Sequence, residues 1–228
     1  MIHIGKINND SQSELSLELV KFELSDYELL TNFIFEQYKQ ITNKEFFILD
    51  DIDTALPLIL NNNGIVYGAL YNDEIVAIQA IDFSIENHSN LKPFLAKYFR
   101  DSVFVEMGWT MTKIGFQNKG IATSLIKQLE EAILDNLKNT VLVTTIHPSN
   151  IKALKTYLHS GYLGYTHETY YGLPRIFLLK YFNRLDKKNL TIKINTSDTE
   201  CIKRAFENGF MLSDIAQEEK IIYFVYQK

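Results

Sequence analysis

The chain has 228 residues, 46% of them apolar, with 13 Tyr and 15 Phe, and a formal net charge of −5. That composition supports one domain with an appendage, or two small domains, around an aromatic-rich core, and it excludes general disorder. A mildly acidic chain is not built to coat nucleic acid, though its surface could favour a cationic amine.

Residues 1–10 hold no long apolar stretch of the secretory kind, and no apolar run is long enough to span a membrane. The expected compartment is the reducing cytoplasm, with neither membrane nor nucleic acid among the partners. The lone Cys201 cannot form an internal disulfide and reads as a small buried apolar residue. The histidines are scattered, and His167-Glu168 is followed by Thr169-Tyr170-Tyr171 rather than by a second ligand, so no metal is expected.

In chain order, residues 15–24 read as a first strand. A helix then opens at Ser25, where Glu28 completes a capping box, and its apolar side is Leu29, Leu30, Phe33 and Ile34. Residues 65–70 and 74–83 form a hairpin through Tyr71-Asn72-Asp73. Residues 103–112 alternate most clearly, with Val103, Val105, Met107, Trp109 and Met111 against Phe104, Glu106, Gly108, Thr110 and Thr112. A helix over about 119–137 carries the stripe Ile121, Leu125, Leu129, Ala132 and Ile133. After a buried strand at 141–146, Ser149-Asn150 caps another helix, which Gly161 ends. Residues 165–171 and 175–182 make a hairpin, and the charged 184–189 a linker.

Residues 190–228 read as a strand–helix–strand–strand unit, with a capping box at Ser197 and Glu200 and a closing Gly209. Aligned on their glycines, Gly161-Tyr162-Leu163 echoes Gly209-Phe210-Met211, which makes the tail a candidate degenerate repeat. In that alignment Cys201 stands at Ala153 and Ala205 at Tyr157. The apolar strand at 221–226 must be covered, by the main sheet or by another subunit, and a homodimer is one way to do it.

Two stretches carry the chemistry. In Gln117-Asn118-Lys119-Gly120-Ile121-Ala122, the glycine and the small Ala122 let backbone approach a ligand, and the following helix aims unpaired N–H groups and its positive dipole end at it. No Gly-Lys-Ser/Thr follows, so this is no P-loop, and no Gly-x-Gly-x-x-Gly is present. In the second stretch, Ile151, Leu154 and Leu158 form a core stripe with Asn150, Ala153 and Tyr157 beside it, which is polar, then small, then phenolic. Tyr157 taken alone is equally a core aromatic with a satisfied hydroxyl.

Together, Gln-x-x-Gly-x-Ala at 117–122 and Asn-x-x-Ala-x-x-x-Tyr-x-x-x-Gly-Tyr at 150–162 closely resemble the GNAT superfamily of N-acetyltransferases. Ile114 departs from the proline that many members carry there. The resemblance implies an α/β GNAT domain over residues 1–184, a mixed, mostly antiparallel sheet with a V-shaped splay flanked by helices, and a C-terminal β-α-β-β extension over 185–228. It implies acetyl-CoA as co-substrate. The pantetheine arm would bond backbone at Thr110-Met111-Thr112 and meet Asn150 and Ala153. The pyrophosphate would lie on the amides of Asn118, Lys119, Gly120, Ile121, Ala122 and Thr123, next to Gln117. Tyr157 would sit near the thioester sulfur, and Glu106 stands where some members carry a catalytic glutamate.

The implied activity is direct acyl transfer to a primary amine, which must be neutral to attack. Glu106 is its candidate base and equally a structural carboxylate. Phe94, Tyr98, Phe99, Tyr170 and Tyr171, with Asp101 and Glu168, are candidates to line an acceptor cleft. A non-catalytic acyl-CoA-binding or scaffolding module of the same fold is the alternative.

Overall fold

The computed structural model describes residues 1–7, 16–49, 52–84, 91, 95, 102–134, 140–181, 190–218 and 221–227. The chain divides into two compact units, Met1–Lys138 and Asn139–Lys228.

The first unit is an antiparallel meander in which each strand pairs with the next: β1 (Ile2–Ile7), β2 (Leu17–Lys21), β3 (Gly64–Tyr71), β4 (Glu74–Asp82) and β5 (Val103–Thr112). The strand expected at 15–24 is the shorter β2, and β1 was not anticipated, being an edge strand whose residues 2–6 are all exposed. The β3–β4 turn is one residue shorter than expected, since Tyr71 ends β3 and Asn72 and Asp73 both take left-handed φ, 51° and 62°, the conformation that matches strand twist.

Helix α1 (Tyr27–Gln40) buries Leu30, Phe33 and Ile34. They meet Ile52 and Leu56 of α2 (Ile52–Leu58) and Val66, Ile78 and Met111 of the sheet in one apolar cluster. Leu29 is outside it, 47% exposed. The capping box is formed by Glu23 and Asp26, not by Ser25 and Glu28, because Ser25 lies inside a short 3-10 turn, Leu24–Asp26, that precedes the helix. Helix α3 (Ile121–Leu134) buries Ile121, Leu125, Leu129 and Ile133 but leaves Ala132 exposed. The 135–137 part of that expected helix is outside the described residues.

The second unit runs β6 (Thr140–Ile146), α4 (Ile151–His159), β7 (Leu163–Tyr170), β8 (Leu173–Tyr181), β9 (Thr191–Asn195), α5 (Thr199–Glu207), β10 (Met211–Glu218) and β11 (Ile221–Gln227). Its strands lie in the order β6-β8-β7-β10-β11-β9, with every pair antiparallel. The tail is the expected strand–helix–strand–strand, and the linker read at 184–189 is outside the described residues.

Three details correct the expectation for the tail. Strand β11 is paired on both edges, by β10 and by β9, so it seeks neither the main sheet nor another subunit; β10 is the strand that meets β7, with Leu212 opposite Gly164. Helix α5 is capped by Asp198, whose carboxylate accepts from Cys201 N at 3.0 Å, rather than by Ser197. Cys201 is exposed.

Candidate active site

In the first unit the candidates lie at the end of β5 and in the loop after it. Along β5 the pairing with β4 slips by one residue: Met107 lies opposite Ile81 and Thr110 opposite Gln79, leaving Gly108 and Trp109 across from a single β4 residue. Such a bulge reverses the alternation of side chains beyond it. Glu106, opposite Asp82, therefore shares a face with Met111, opposite Ile78, and not with Thr110 as strict alternation implies. Gln79, fully buried, secures the bulge: its Nε2 donates to Ala80 O at 2.9 Å and to Gly108 O at 3.2 Å, and its Oε1 accepts from the Thr110 hydroxyl. The half-buried Thr110 hydroxyl is thus committed to Gln79. Gln79, Asp82 and the bulge escaped sequence reasoning, since no periodicity within one strand announces what its neighbour pairs with.

Past Thr112, Gln117 Nε2 donates to Thr112 O at 3.3 Å and Phe116 N to Lys113 O at 3.0 Å, folding the loop back on the strand end. Asn118 (φ 60°) and Gly120 (φ 76°) are both left-handed. Left-handed residues so closely spaced gather backbone N–H groups into a concave anion site. Gly120 O accepts from Ser124 N at 3.0 Å to begin α3, so the N–H groups of Ile121, Ala122 and Thr123 come before any helical acceptor. The helix starts at Ile121 rather than near Lys119 because a residue at Gly120's φ cannot be helical. Gln117, Asn118 and Gly120 are exposed, and Ala122 is half-buried. Lys119 Nζ stands 5.5 Å from the Phe116 ring centre. Lys113 Nζ pairs with Glu74 at 2.8 Å, and that hydrogen bond and charge hold the Glu74 carboxyl below its usual range.

In the second unit the candidates lie on α4. Asn150 is its N-cap, its Oδ1 accepting from Ala153 N at 3.3 Å. The Asn150 carboxamide is therefore half engaged in structure, with Nδ2 as the donor left for a ligand. Ala153 is half-buried. Tyr157 is 3% exposed and meets Tyr162 edge-on, with ring centres 5.0 Å apart. Gly161 (φ 89°) ends the helix as expected.

Of the acceptor-cleft candidates, Phe94, Tyr98, Phe99 and Asp101 lie outside the described residues. Tyr170 is buried against Phe177 and Tyr171, which makes it packing. Tyr171 is half exposed at the β7–β8 turn. Glu168 accepts from the Thr166 hydroxyl at 3.1 Å and stands opposite Arg175, a cation that is 2% exposed, so it is poorly placed to be an ammonium's own partner. Beside it, burial holds the His167 imidazole below its ordinary range; Glu168 opposes that shift and His147 adds to it.

A helix that opens on an exposed, left-handed loop presents unpaired N–H groups that can meet an anion. The chain belongs to the acetyltransferase (GNAT) family, whose model matches residues 27–162. No curated protein matches it at a significant level. Among solved structures it is similar to NAA60 of Arabidopsis thaliana in complex with acetyl-CoA, at 13% identity and a TM-score of 0.56 over 74% of this chain and 99% of that one. An acetyltransferase of the GNAT family from Streptococcus pneumoniae gives 18% and 0.53 over 72% and 98%. The aminoglycoside acetyltransferase AAC(6')-Ib, in complex with coenzyme A and kanamycin, gives 16% and 0.52 over 73% and 95%. At these identities the likeness is one of fold: α/β, with a mostly antiparallel open sheet flanked by helices.

Proposed function

We propose that the chain transfers an acetyl or other short acyl group from acyl-CoA to a primary amine, in a complex holding both substrates. The observation that carries this reading is the loop before α3, where left-handed Asn118 and Gly120 precede the first-turn N–H groups of Ile121, Ala122 and Thr123. That arrangement of N–H groups supports binding of a pyrophosphate. Acetyl-CoA supplies the acyl group as a thioester.

The chain's own residues then have four tasks. The amides of the loop bind the pyrophosphate, with the backbone of Thr110, Met111 and Thr112 and the Asn150 Nδ2 along the pantetheine arm past Ala153. Glu106 takes the proton that the attacking ammonium must lose, directly or through water. Asp82 stands across the strand pair from Glu106, its Oδ1 accepting from the Ser84 N–H at 2.6 Å and from the Ser84 hydroxyl at 2.5 Å. As the new N–C bond forms and the C–S bond breaks, Tyr157 gives a proton or a hydrogen bond to the departing thiolate. The Thr112 amide is a candidate to polarise the thioester carbonyl.

Acceptor classes compatible with this chemistry are polyamines, amino sugars, amino acids, antibiotics and protein N-termini; the kanamycin bound by one fold neighbour belongs to that protein. The test is release of CoA thiol from acetyl-CoA by the full chain across a library of those amines. Amine-dependent release with at least one class is the expected result. Tight acetyl-CoA binding with no amine accelerating release would favour a non-catalytic binding module.

A further inference from the structure

The second unit is built twice. Raising residue numbers by 48 carries α4 (Ile151–His159) onto α5 (Thr199–Glu207) and β7 (Leu163–Tyr170) onto β10 (Met211–Glu218), end to end, and the first residue of β8, Leu173, onto that of β11, Ile221. The hydrogen bonds repeat with it. Asn150 Oδ1 accepts from Ala153 N, as Asp198 Oδ1 does from Cys201 N, and the cap dihedrals are φ −83°, ψ 67° and φ −91°, ψ 77°. Tyr162 N donates to Tyr157 O and Phe210 N to Ala205 O, after left-handed Gly161 and Gly209.

Even the irregularity is copied: the β7–β8 register slips between Gly164 and Thr166, and the β10–β11 register between Leu212 and Asp214. Secondary-structure type alone does not reproduce a bulge, a cap and a strand register at one constant spacing. The sequence echo on Gly161 and Gly209 was the faint trace of this.

The two copies are arranged symmetrically. The strand order β6-β8-β7-β10-β11-β9 reads the same from either end once each strand is exchanged for its equivalent. At the centre β7 pairs antiparallel with β10, and the pair formed there, Gly164 with Leu212, consists of equivalent residues. Helix α4 packs on β10 and α5 on β7, a reciprocal exchange. This is the self-complementary pattern of a two-fold interface, made within one chain. The contact is not interchangeable, however: a Cβ on Gly164 would stand 2.8 Å from the Leu212 Cβ, so the first copy supplies a hole and the second the knob that fills it.

We infer that residues 190–227 are an internal second subunit: a copy of the β6–α4–β7–β8 segment that docks in cis on the β7 edge, closing it to any other chain, and that keeps the fold-bearing features of the segment while lacking its ligand-bearing ones. The cap, the left-handed glycine and the buried apolar positions Ile202 and Ala205 remain. The phenol of Tyr157 and the carboxamide Nδ2 of Asn150 have no counterpart in Ala205 and Asp198. The docking claim rests on geometry alone and stands whatever the chain catalyses.

The test is hydrogen exchange by mass spectrometry on the full chain carrying Leu212→Arg, which puts a charge in the filled hole. Peptides covering β9, β10 and β11 should exchange together, at least about tenfold faster than in the parent, while β3 and β4 keep their protection. Gly164→Val, which blocks the hole from the other side, should give the same pattern. Parent-like protection of β10 in both variants would overturn the inference, and so would loss of protection spread equally over β3 and β4. Light scattering should give Leu212→Arg the same mass as the parent, because the Gly164–Leu212 contact is made within one chain. A parent dimer that dissociates in Leu212→Arg would contradict docking in cis.

Discussion

Asn150 tests the separation of structural from ligand-binding roles most sharply, because the second copy contains its control. Asn150→Ala removes the acceptor that Ala153 N reaches at 3.3 Å. Losing an N-cap of this kind costs about 1 kcal/mol, which lowers the melting temperature of a unit the size of Asn139–Lys228 by roughly 4–8 °C. Asn150→Asp should cost nothing in stability, because Asp198 already caps α5 in the same geometry with its carboxylate accepting at 3.0 Å. A negative charge at a helix N-terminus is itself mildly favourable. What Asp removes is the Nδ2 donor, leaving an anionic oxygen where the pantetheine arm expects a hydrogen. An unmet polar group of that kind costs about 1–3 kcal/mol, or roughly tenfold or more in affinity. Thermal unfolding and calorimetry with acetyl-CoA separate the two effects. Asn150→Asp should melt with the parent and bind weakly. If it binds as tightly as the parent, Asn150 is a cap and nothing else; if Asn150→Ala melts with the parent, the cap energetics are wrong.

Tyr157→Phe should lower kcat roughly ten- to a thousand-fold with little change in acetyl-CoA affinity; a variant as fast as the parent, with chemistry rate-limiting, would return Tyr157 to the core. The Tyr226 hydroxyl is buried with no hydrogen-bond partner among the described residues, and burial pushes its phenol above the ordinary range. Tyr226→Phe should therefore raise the unfolding free energy by about 1–3 kcal/mol; a loss measured by urea titration would mean the hydroxyl is satisfied. The third case is His167, which the fold keeps neutral below its ordinary value. The unfolded chain takes up that proton near pH 6.5, so this contribution is complete above that pH and is lost as pH falls through the lower folded value. Acidification from pH 7.5 to 5.5 should destabilise the parent more than His167→Gln, and equal acid losses in urea midpoints would contradict the assignment.

The features legible in sequence were those written within a single element. Residues 103–112 announced β5 by alternation, Tyr71-Asn72-Asp73 the β3–β4 turn, and Gly161 and Gly209 the left-handed residues that end their helices; Gly120 was readable as room for a ligand, its left-handed φ was not. What depended on a neighbour was not legible. The bulge at Gly108 and Trp109 is defined by pairing with β4, so the face on which Glu106 lies could not be read from β5 alone. Helix α2 was missed because Pro57 sits inside it. Both capping boxes were misplaced by competing carboxylates one or two residues away, Asp26 with Glu23 in one case and Asp198 in the other. The place of β11 between two partners follows from sheet order, to which its apolar composition is indifferent. In the candidate site, the loop and the Asn150–Tyr157 stripe were readable as spacing. Gln79, which secures the strand beside them, is a buried glutamine that only the fold explains.

The central claim is that acyl-CoA is held by the backbone at the start of α3. It is tested most directly by calorimetric titration of the full chain with acetyl-CoA, before and after Gly120→Glu. Gly120 is exposed at a left-handed φ of 76°, so the substitution both strains the loop backbone and brings a negative charge to the proposed pyrophosphate site. The account predicts one site per chain in the parent and no measurable binding in the variant, with β5 and α3 still folded by circular dichroism and hydrogen exchange. Equal affinity in a folded variant, or two sites per parent chain, would contradict it.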